Sequence, residues 1–237
     1  MRLAGKKIIV TGGPTREWLD PVRFLSNAST GKMGVAIADE AARISGEVVF
    51  VHGPMREELY AGREYRMIGV ETTVELRDAV VGQLAPGCVL IMAAAPADFT
   101  PVETSSKKIK KTAGADEIAL RLKKTPDILK GVADIRHRDP GLRDIVVVGF
   151  AAETNDIETY AKQKLVEKRL EMICLNDVGR VGAGFGTDTN VVTMFTKHGR
   201  RIELPLLSKE ETARRILEEV DQLMERSNQI GHSAGAY

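Results

Sequence analysis

Short apolar runs separated by amphipathic stretches give this chain the rhythm of alternating strands and helices. The runs are rich in β-branched residues and are bounded by turn-forming residues, as strands are. They predict strands at 8–10, 47–52, 66–70, 88–94, 144–151 and 170–175. Helices are predicted at 34–43, from a capping box of Thr72 and Glu75 to about 83, and at 155–168. This succession indicates an α/β fold, a Rossmann-like and mostly parallel sheet with helices on both faces.

Residues 96–124 break the rhythm. They contain prolines, a lysine cluster and a short alternating run at 118–122. We therefore predict a basic flap at about 99–124 that includes a small hairpin. Thr125 as N-cap and Pro126 at the first helical position predict the start of the next helix.

The end of the chain contains two further elements. Two short apolar runs turned by His198 and Gly199 predict a terminal hairpin at about 190–205. Ser208 and Glu211 predict the cap of a last helix, which ends near 226 and is followed by a disordered tail at 227–237. The sequence predicts one domain over 1–226.

Charge and cysteine usage narrow the class of protein. The 237 residues carry 34 basic and 33 acidic side chains, for a net charge of +1, which argues against nucleic acid as the main partner. Cys88 and Cys174 both fall in apolar runs and are predicted to be reduced core residues. No apolar stretch approaches twenty residues, so we expect no membrane contact and a cytoplasmic protein.

A glycine-rich stretch directly follows the first predicted strand. Gly12 and Gly13 end that strand, and a second pair, Gly31 and Gly34, precedes the first helix. Glycines at a strand end let the backbone approach a phosphate, and a helix N-terminus adds unpaired N–H groups. The segment between the pairs is predicted to be a polar, turn-prone loop that can hold a substrate through side chains such as Arg16, Asp20, Arg23, Ser26 and Asn27.

Spacing excludes two common nucleotide motifs. The chain has no G-x-x-x-x-G-K-[ST] loop, since Met33 stands where a hydroxyl is needed, and no G-x-G-x-x-G in the right place. The four histidines lack metal-ligand spacing, so no metal site made of protein side chains is predicted. The residues alone leave open a nucleotide-dependent enzyme, a non-catalytic nucleotide-binding Rossmann module, and a nicotinamide-dependent oxidoreductase with an atypical glycine turn.

Several charged residues lie where the presumed ligand edge of the sheet should be. Lysines 107, 108, 110 and 111 occupy a Pro-flanked loop after a strand end, which predicts a flexible loop that closes over phosphates. Asp98, four residues past that strand, is a candidate for ribose hydroxyls or Mg²⁺. Lys164 and Lys168 share one helix face.

Together these motifs closely resemble phosphopantothenoylcysteine synthetase, a ligase family of coenzyme A biosynthesis. The matching segments run in the family's order over roughly 6–220. They are 11–27, 29–34 (Ser-Thr-Gly-Lys-Met-Gly), 93–99, 108–111 (Lys-Ile-Lys-Lys), 125–128, 148–154, 164–168, 176–177 and 185–190.

The resemblance implies ligation of 4′-phosphopantothenate to L-cysteine with CTP through an acyl cytidylate, with release of CMP and pyrophosphate. It implies Mg²⁺ as the companion of CTP and no flavin, since the flavin-dependent decarboxylase half is absent from this sequence. It also implies a homodimer in which the flap and the terminal hairpin exchange contacts. A phosphopantothenoylcysteine decarboxylase domain or protein is a further expected partner.

The same resemblance assigns residues. Asn27 would be the oxyanion donor and Lys108 would neutralise the triphosphate. Substrate binding is expected at Arg23, Asn27, Ala95 and Lys110. Nucleotide binding is expected at Gly12, Gly13, Ser29, Gly31, Lys32, Met33, Gly34, Met92, Ala93, Ala94, Asp98, Lys108, Thr125, Pro126, Asp127, Ile128, Phe150, Lys164 and Lys168.

Overall fold

The computed structural model describes residues 1–110, 117–153, 157–177 and 186–233. The helices are α1 (Lys32–Ile44), α2 (Thr73–Val81), α3 (Ile128–Arg138), α4 (Ile157–Glu167) and α5 (Lys209–Ser233), with short 3-10 turns at Glu57–Leu59 and Pro140–Leu142. The strands are β1 (Lys7–Gly12), β2 (Arg16–Trp18), β3 (Phe24–Ser26), β4 (Glu47–His52), β5 (Arg66–Gly69), β6 (Val89–Met92), β7 (Phe99–Pro101), β8 (Leu122–Lys124), β9 (Val146–Glu153), β10 (Met172–Asp177), β11 (Thr189–Asn190), β12 (Val192–Thr196), β13 (Arg201–Glu203) and β14 (Leu207–Ser208).

An eight-stranded sheet forms the centre, in the order β13-β12-β10-β9-β6-β1-β4-β5. The six strands from β10 to β5 are parallel, and β12 and β13 join one edge in antiparallel orientation. Short antiparallel pairs form outside it, β2 with β3, β7 with β8 and β11 with β14. The predicted α/β class with a mostly parallel sheet is confirmed.

Helices cover both faces of the sheet. On β1, Ile8 and Val10 belong to one core cluster with residues of α1 and α5, whereas Ile9 belongs to the other with residues of α2, α3 and α4. Successive side chains of a strand point to opposite faces, so burial on both sides requires the continuous apolar runs seen in the sequence. Cys88 and Cys174 are buried and unpaired, and burial raises the pKa of both thiols.

The strand order reverses beside β1. The chain passes from β1 to β4 and β5 on one side, then returns to place β6 on the other side. In open α/β sheets the crevice for ligands lies at the carboxyl ends of the strands where this reversal occurs. Thr11 pairs with Met92 there, and Pro14 forms a parallel bridge with Ala95 just beyond.

Two helix boundaries differ from the prediction. Asp127, not Thr125, is the N-cap of α3, because its Oδ1 accepts the backbone N–H of Lys130 at 3.1 Å. Thr125 instead donates its hydroxyl to the carbonyl of Ala97 at 2.6 Å. The last helix is helical to Ser233, past the end predicted near 226, so a tail disordered from 227 is wrong for that part; no proline interrupts those residues to stop the helix. Residues 234–237 lie outside the described part of the chain.

The flap region is partly described. Its ends pair as antiparallel strands, with Phe99 opposite Lys124 and Pro101 opposite Leu122, while 111–116 lie outside the described residues. The terminal hairpin consists of β12 and β13, with Met194 opposite Ile202. The role of both elements in dimerisation stays a prediction. Within the described ranges, no helix has the length and apolar character needed to span a membrane.

Helix α1 lies unusually close to β1, which makes Gly34 a test of the packing. A Cβ on Gly34 would lie 2.7 Å from both the Cα of Gly12 and the carbonyl oxygen of Thr11. Helix propensity alone favours Ala over Gly by about 1 kcal/mol. We nevertheless expect Gly34→Ala to lower the free energy of unfolding by about 1–3 kcal/mol, because backbone atoms must separate.

Urea denaturation of both variants checks this expectation. Gly46→Ala is the matched control, since a Cβ there meets nothing within 4 Å, and it should stay within about 0.5 kcal/mol of the wild type. A Gly34→Ala variant as stable as the wild type would contradict the close packing.

Candidate active site at the reversal of strand order

The two glycine pairs meet at the carboxyl end of β1. Gly13 and Gly31 have φ values of 77° and 80°, a left-handed conformation that favours glycine. Gly31 is the N-cap of α1 and has no side chain with which to cap it. The first N–H groups of the helix therefore have no side-chain acceptor among the residues that the structure describes. The glycines Gly12, Gly13, Gly31 and Gly34 thus lie together at this strand end, and their predicted binding of nucleotide stays a prediction.

The segment between the glycine pairs is an ordered hairpin, which corrects the predicted turn-prone loop. Trp18 of β2 meets Phe24 of β3 edge to face, with ring centroids 5.1 Å apart. The guanidinium of Arg16 lies 4.6 Å from the Phe24 ring centroid. Glu17 is buried and accepts the backbone N–H of Thr73 at 2.8 Å, at the N-terminus of α2. Three-residue strands are too short to give a clear period-2 signal in the sequence.

Asn27 follows this hairpin and reaches the end of β6. Its Nδ2 donates to the carbonyl oxygens of Ala95 at 3.2 Å and Pro96 at 2.9 Å. The neighbouring backbone is tied to β1, since Ala95 N–H donates to the Gly13 carbonyl at 2.9 Å and Ala94 N–H to the Thr11 hydroxyl at 3.0 Å. Two predicted substrate-binding residues, Asn27 and Ala95, are therefore in direct contact.

The described segment 104–110, which we call the lysine loop, docks against the same β2–β3 hairpin. Thr104 donates its hydroxyl to the Trp18 carbonyl at 3.1 Å, and Ser105 N–H donates to the Leu19 carbonyl at 3.0 Å. Lys108 and Lys110 are exposed, and neither pairs with a carboxylate among the described residues. The loop thus presents two exposed cations next to the β2–β3 hairpin, without a carboxylate partner among the described residues. Lys111 lies outside the described residues.

Asp20 joins the turn of the β2–β3 hairpin to the lysine loop. It is fully buried and accepts hydrogen bonds from Arg23 Nε at 3.0 Å, Arg23 Nη2 at 2.6 Å and the backbone N–H of Ile109 at 3.1 Å. The Arg23 guanidinium holds the pKa of the Asp20 carboxyl well below its usual range. Arg23, which is predicted to bind substrate, therefore already pairs with a carboxylate, and part of its side chain is exposed to solvent.

Four of the residues predicted to bind nucleotide form two contacting pairs, Asp98 with Thr125 and Asp127 with Lys168. Asp98 is exposed, and its carbonyl accepts the N–H of Thr125 at 3.0 Å. Asp127 pairs with Lys168 at 3.2 Å. Lys164 lies over the Tyr160 ring, with its Nζ 4.1 Å from the centroid. Phe150 is half-buried in β9 against the core.

A second set of contacts binds the N-terminus of α1 to the segment before β12. Lys32 Nζ lies 2.6 Å from Asp188 Oδ1 and donates to the Gly186 carbonyl at 3.3 Å. This hydrogen bond lowers the pKa of Asp188. Lys209 is buried, and its Nζ donates to Asn190 Oδ1 at 2.5 Å. The sequence assigned no role to Asp188 or Lys209, because their partners are distant in the chain.

The contents of the site limit its chemistry. No group of three His, Cys, Asp or Glu side chains within the described ranges is placed to hold a metal ion. A cavity of about 730 Å³ lies elsewhere, between α3, α4 and the end of β12, and none of the predicted substrate or nucleotide residues lines it. The N-terminus of α1 and the Asn27 amide lie at the crevice beside β1, and the exposed lysines 108 and 110 lie on the loop that docks against the adjoining hairpin. Such a set of donors suits a polyanionic substrate.

Known proteins resemble this chain over most of its length. A family model described as the DNA/pantothenate metabolism flavoprotein C-terminal domain matches residues 3–224. The coenzyme A biosynthesis bifunctional protein CoaBC of Bacillus subtilis (strain 168) is 42% identical over 227 residues, which cover 96% of this chain and 54% of that protein. The chain thus spans about half the length of the curated relative.

Solved structures share the fold. The crystal structure of the C-terminal domain of the bifunctional protein CoaBC has a TM-score of 0.74 and 37% identity, covering 94% of this chain and 97% of that one. A Cab2 mutant H337A in complex with phosphopantothenate-cysteine has a TM-score of 0.72 and 17% identity, covering 94% and 89%. At that lower identity the likeness shows the fold alone.

Lys209 makes the free energy of unfolding depend on pH. Burial, with a smaller contribution from Lys32, lowers the pKa of Lys209 to about 8 from 10.5. Between these values the unfolded chain binds more protons than the folded one, so this residue makes stability rise with pH from about 8 to about 10.5. Lys209→Met removes that contribution.

Urea unfolding of both proteins from pH 7 to pH 10.5 provides the test. The free energy of unfolding of the wild type relative to Lys209→Met should increase as pH rises through this window. A constant difference between the two would show that Lys209 is not desolvated in the folded state.

Proposed function

The chain belongs to the DNA/pantothenate metabolism flavoprotein C-terminal domain family, and from this premise we propose that it ligates 4′-phosphopantothenate to L-cysteine. CTP drives the reaction through an acyl cytidylate, and CMP and pyrophosphate are released. The observation that carries the proposal is the junction of Asn27 with Ala95, beside a docked loop that presents Lys108 and Lys110. This junction supports a site in which an amide donor acts together with the lysines of the neighbouring loop.

The first step needs charge neutralisation. A carboxylate oxygen of phosphopantothenate attacks the α-phosphorus of CTP, the bond to the bridging oxygen breaks, and pyrophosphate leaves. The free N–H groups at the N-terminus of α1 and the Lys108 ammonium are suited to the negative charge of the triphosphate. The left-handed Gly31 lets the backbone come close to the phosphates.

The second step needs a donor for an oxyanion. The cysteine amine attacks the acyl carbon, the amine loses a proton, and CMP leaves. Asn27 Nδ2 now donates to two backbone carbonyls, and the oxyanion would take over one of these N–H groups. Loss of such a donor typically lowers the rate by about 100- to 1,000-fold.

Nucleotide recognition falls on the neighbouring elements. The backbone of Met92 to Ala94 would contact the base, with Phe150 and the turn at 125–128 beside it. Magnesium would arrive with the triphosphate and would neutralise part of its negative charge. Asp98 suits it as a single exposed carboxylate, since Mg²⁺ commonly takes one or two protein carboxylates and keeps other oxygen ligands.

We further propose a homodimer and a decarboxylase partner. Phe24, Phe99 and Leu122 are large apolar side chains that are 39%, 46% and 43% exposed, on the adjoining hairpins of β2–β3 and β7–β8. Such a face favours contact with a second copy. The matched relative named as bifunctional is longer than this chain, which supports a decarboxylase acting on the ligation product.

Light scattering tests the dimer. We expect the wild type to have twice the mass of the chain and Phe99→Asp to be monomeric, because a charge in an apolar interface is costly. Val166→Asp is the control, since Val166 is 77% exposed on α4, away from this face, and this variant should stay dimeric. A monomeric wild type would rule out the dimer.

Pyrophosphate release tests the reaction. It should require CTP and phosphopantothenate together, and the ligated product should form only when cysteine is added. Within this assay, Lys108→Gln should lower kcat/KM for CTP by orders of magnitude, about 100-fold or more. The melting temperature should stay near normal, because Lys108 pairs with no carboxylate in the described part of the chain.

Lys107→Gln is the matched control, since it removes the same charge from the same loop outside the Lys-Ile-Lys-Lys motif, and it should have a much smaller effect. Equal losses in the two variants would mean that the loop acts only as a diffuse basic patch. Pyrophosphate release without phosphopantothenate would contradict the ligase.

A further inference from the structure

The buried carboxylate of Asp20 joins two segments that lie far apart in the chain. Within the hairpin turn it accepts the backbone N–H groups of Val22 at 2.8 Å and Arg23 at 2.9 Å, and both Nε and Nη2 of Arg23. Its fifth hydrogen bond comes from the backbone N–H of Ile109, 89 positions away in the chain. Asp20 is fully buried, so water does not compete for these bonds.

Both backbone polar groups of Ile109 are bound by the same ion pair. Its N–H donates to Asp20 Oδ2 at 3.1 Å, and its carbonyl accepts Arg23 Nη2 at 2.8 Å. The Asp20–Arg23 pair therefore fixes the position and the rotation of this one peptide segment. Ile109 lies between Lys108 and Lys110, so fixing its backbone sets the direction in which these lysine side chains leave the loop.

The hairpin bonds alone would account for a purely structural aspartate. A carboxylate that caps a turn through Val22 and Arg23 N–H groups needs no contact with residue 109. The additional bonds to Ile109 are the ones that a turn cap does not explain. They connect the lysine loop to the hairpin that ends one residue before Asn27.

We propose that Asp20 is a positioning residue that locks the lysine loop in its closed arrangement and thereby places Lys108 for the triphosphate step. It acts through Ile109 and Arg23 and does not touch the substrate. The catalytic part of this inference rests on the proposed ligase function; the structural part, closure of the loop, does not. Asp20 links the loop that serves the first step to the hairpin that positions Asn27 for the second.

Asp20→Asn is the direct test. The amide keeps the shape of the carboxylate but loses the charge, and one of its two acceptor oxygens becomes an N–H donor that cannot accept from Ile109 or Arg23. Glu171→Gln is the matched control. Glu171 is also a buried carboxylate, bound to Arg136 Nη2 at 2.8 Å and to the backbone N–H of Val147 at 2.8 Å. It lies at the amino ends of β9 and β10, whereas the crevice lies at the carboxyl ends of the parallel strands.

Two measurements distinguish a positioning role of Asp20 from a purely structural one. Both are made well below the melting temperature of each variant. The first is the rate of trypsin cleavage after Lys107, Lys108 and Lys110, followed by mass spectrometry. Asp20→Asn should raise that rate about tenfold, because local opening becomes easier, whereas Glu171→Gln should leave it unchanged. The second is kcat/KM for CTP in pyrophosphate release, which Asp20→Asn should lower by about 10- to 100-fold, since small displacements of a positioned group are costly.

The outcomes are distinguishable. If Asp20→Asn leaves the cleavage rate unchanged, or if Glu171→Gln raises it equally, Asp20 does not lock the loop and the proposal is overturned. If cleavage rises while kcat/KM for CTP stays at the wild-type value, loop closure does not place Lys108, and the positioning role is overturned. A wild type without ligase activity would refute the proposed function, and the cleavage rates would still decide whether Asp20 closes the loop.

Discussion

The contact of two glycine backbones, Gly12 at the end of β1 and Gly34 in the first turns of α1, sets the geometry of the whole site. No side chain separates them, so the N-terminus of α1 lies directly against the carboxyl end of the central strand. The reversal of strand order opens a crevice at the same place, between β1 and β6. A helix N-terminus aimed at such a crevice is an anion site formed by the backbone itself.

Buried carboxylates organise the polar segments around this crevice. Glu17 ties the β2–β3 hairpin to the N-terminus of α2, and Asp20 ties the same hairpin to the lysine loop. Each carboxylate is buried, and N–H donors compensate for its loss of water, one from Thr73 at Glu17 and five at Asp20. The hairpin in turn delivers Asn27 to the end of β6. The sheet determines where the crevice lies, and the hydrogen bonds to these buried carboxylates determine where the candidate site residues lie.

The sequence predicts the framework well and the local contacts less well. Long apolar runs required by burial on both faces locate the strands of the main sheet, and the Thr72–Glu75 capping box marks the start of α2 as observed. The three-residue strands β2 and β3 give no such pattern, so the sequence predicts a loop where this hairpin lies. The bond from Asp20 to Ile109 and the pairing of Lys32 with Asp188 join residues distant in the chain, and no local rule reveals them. Competing caps at Thr125 and Asp127 are decided by the tertiary bond from Thr125 to Ala97.

The central claim is that a carboxylate oxygen attacks the α-phosphorus of a nucleotide at this crevice. Phosphopantothenate labelled with ¹⁸O in its carboxylate, incubated with CTP, Mg²⁺ and cysteine, tests it directly by mass spectrometry of the products. An acyl cytidylate intermediate requires one labelled oxygen to appear in CMP, with none in pyrophosphate. Label that stays entirely in the organic product, or that appears in inorganic phosphate, would contradict the account.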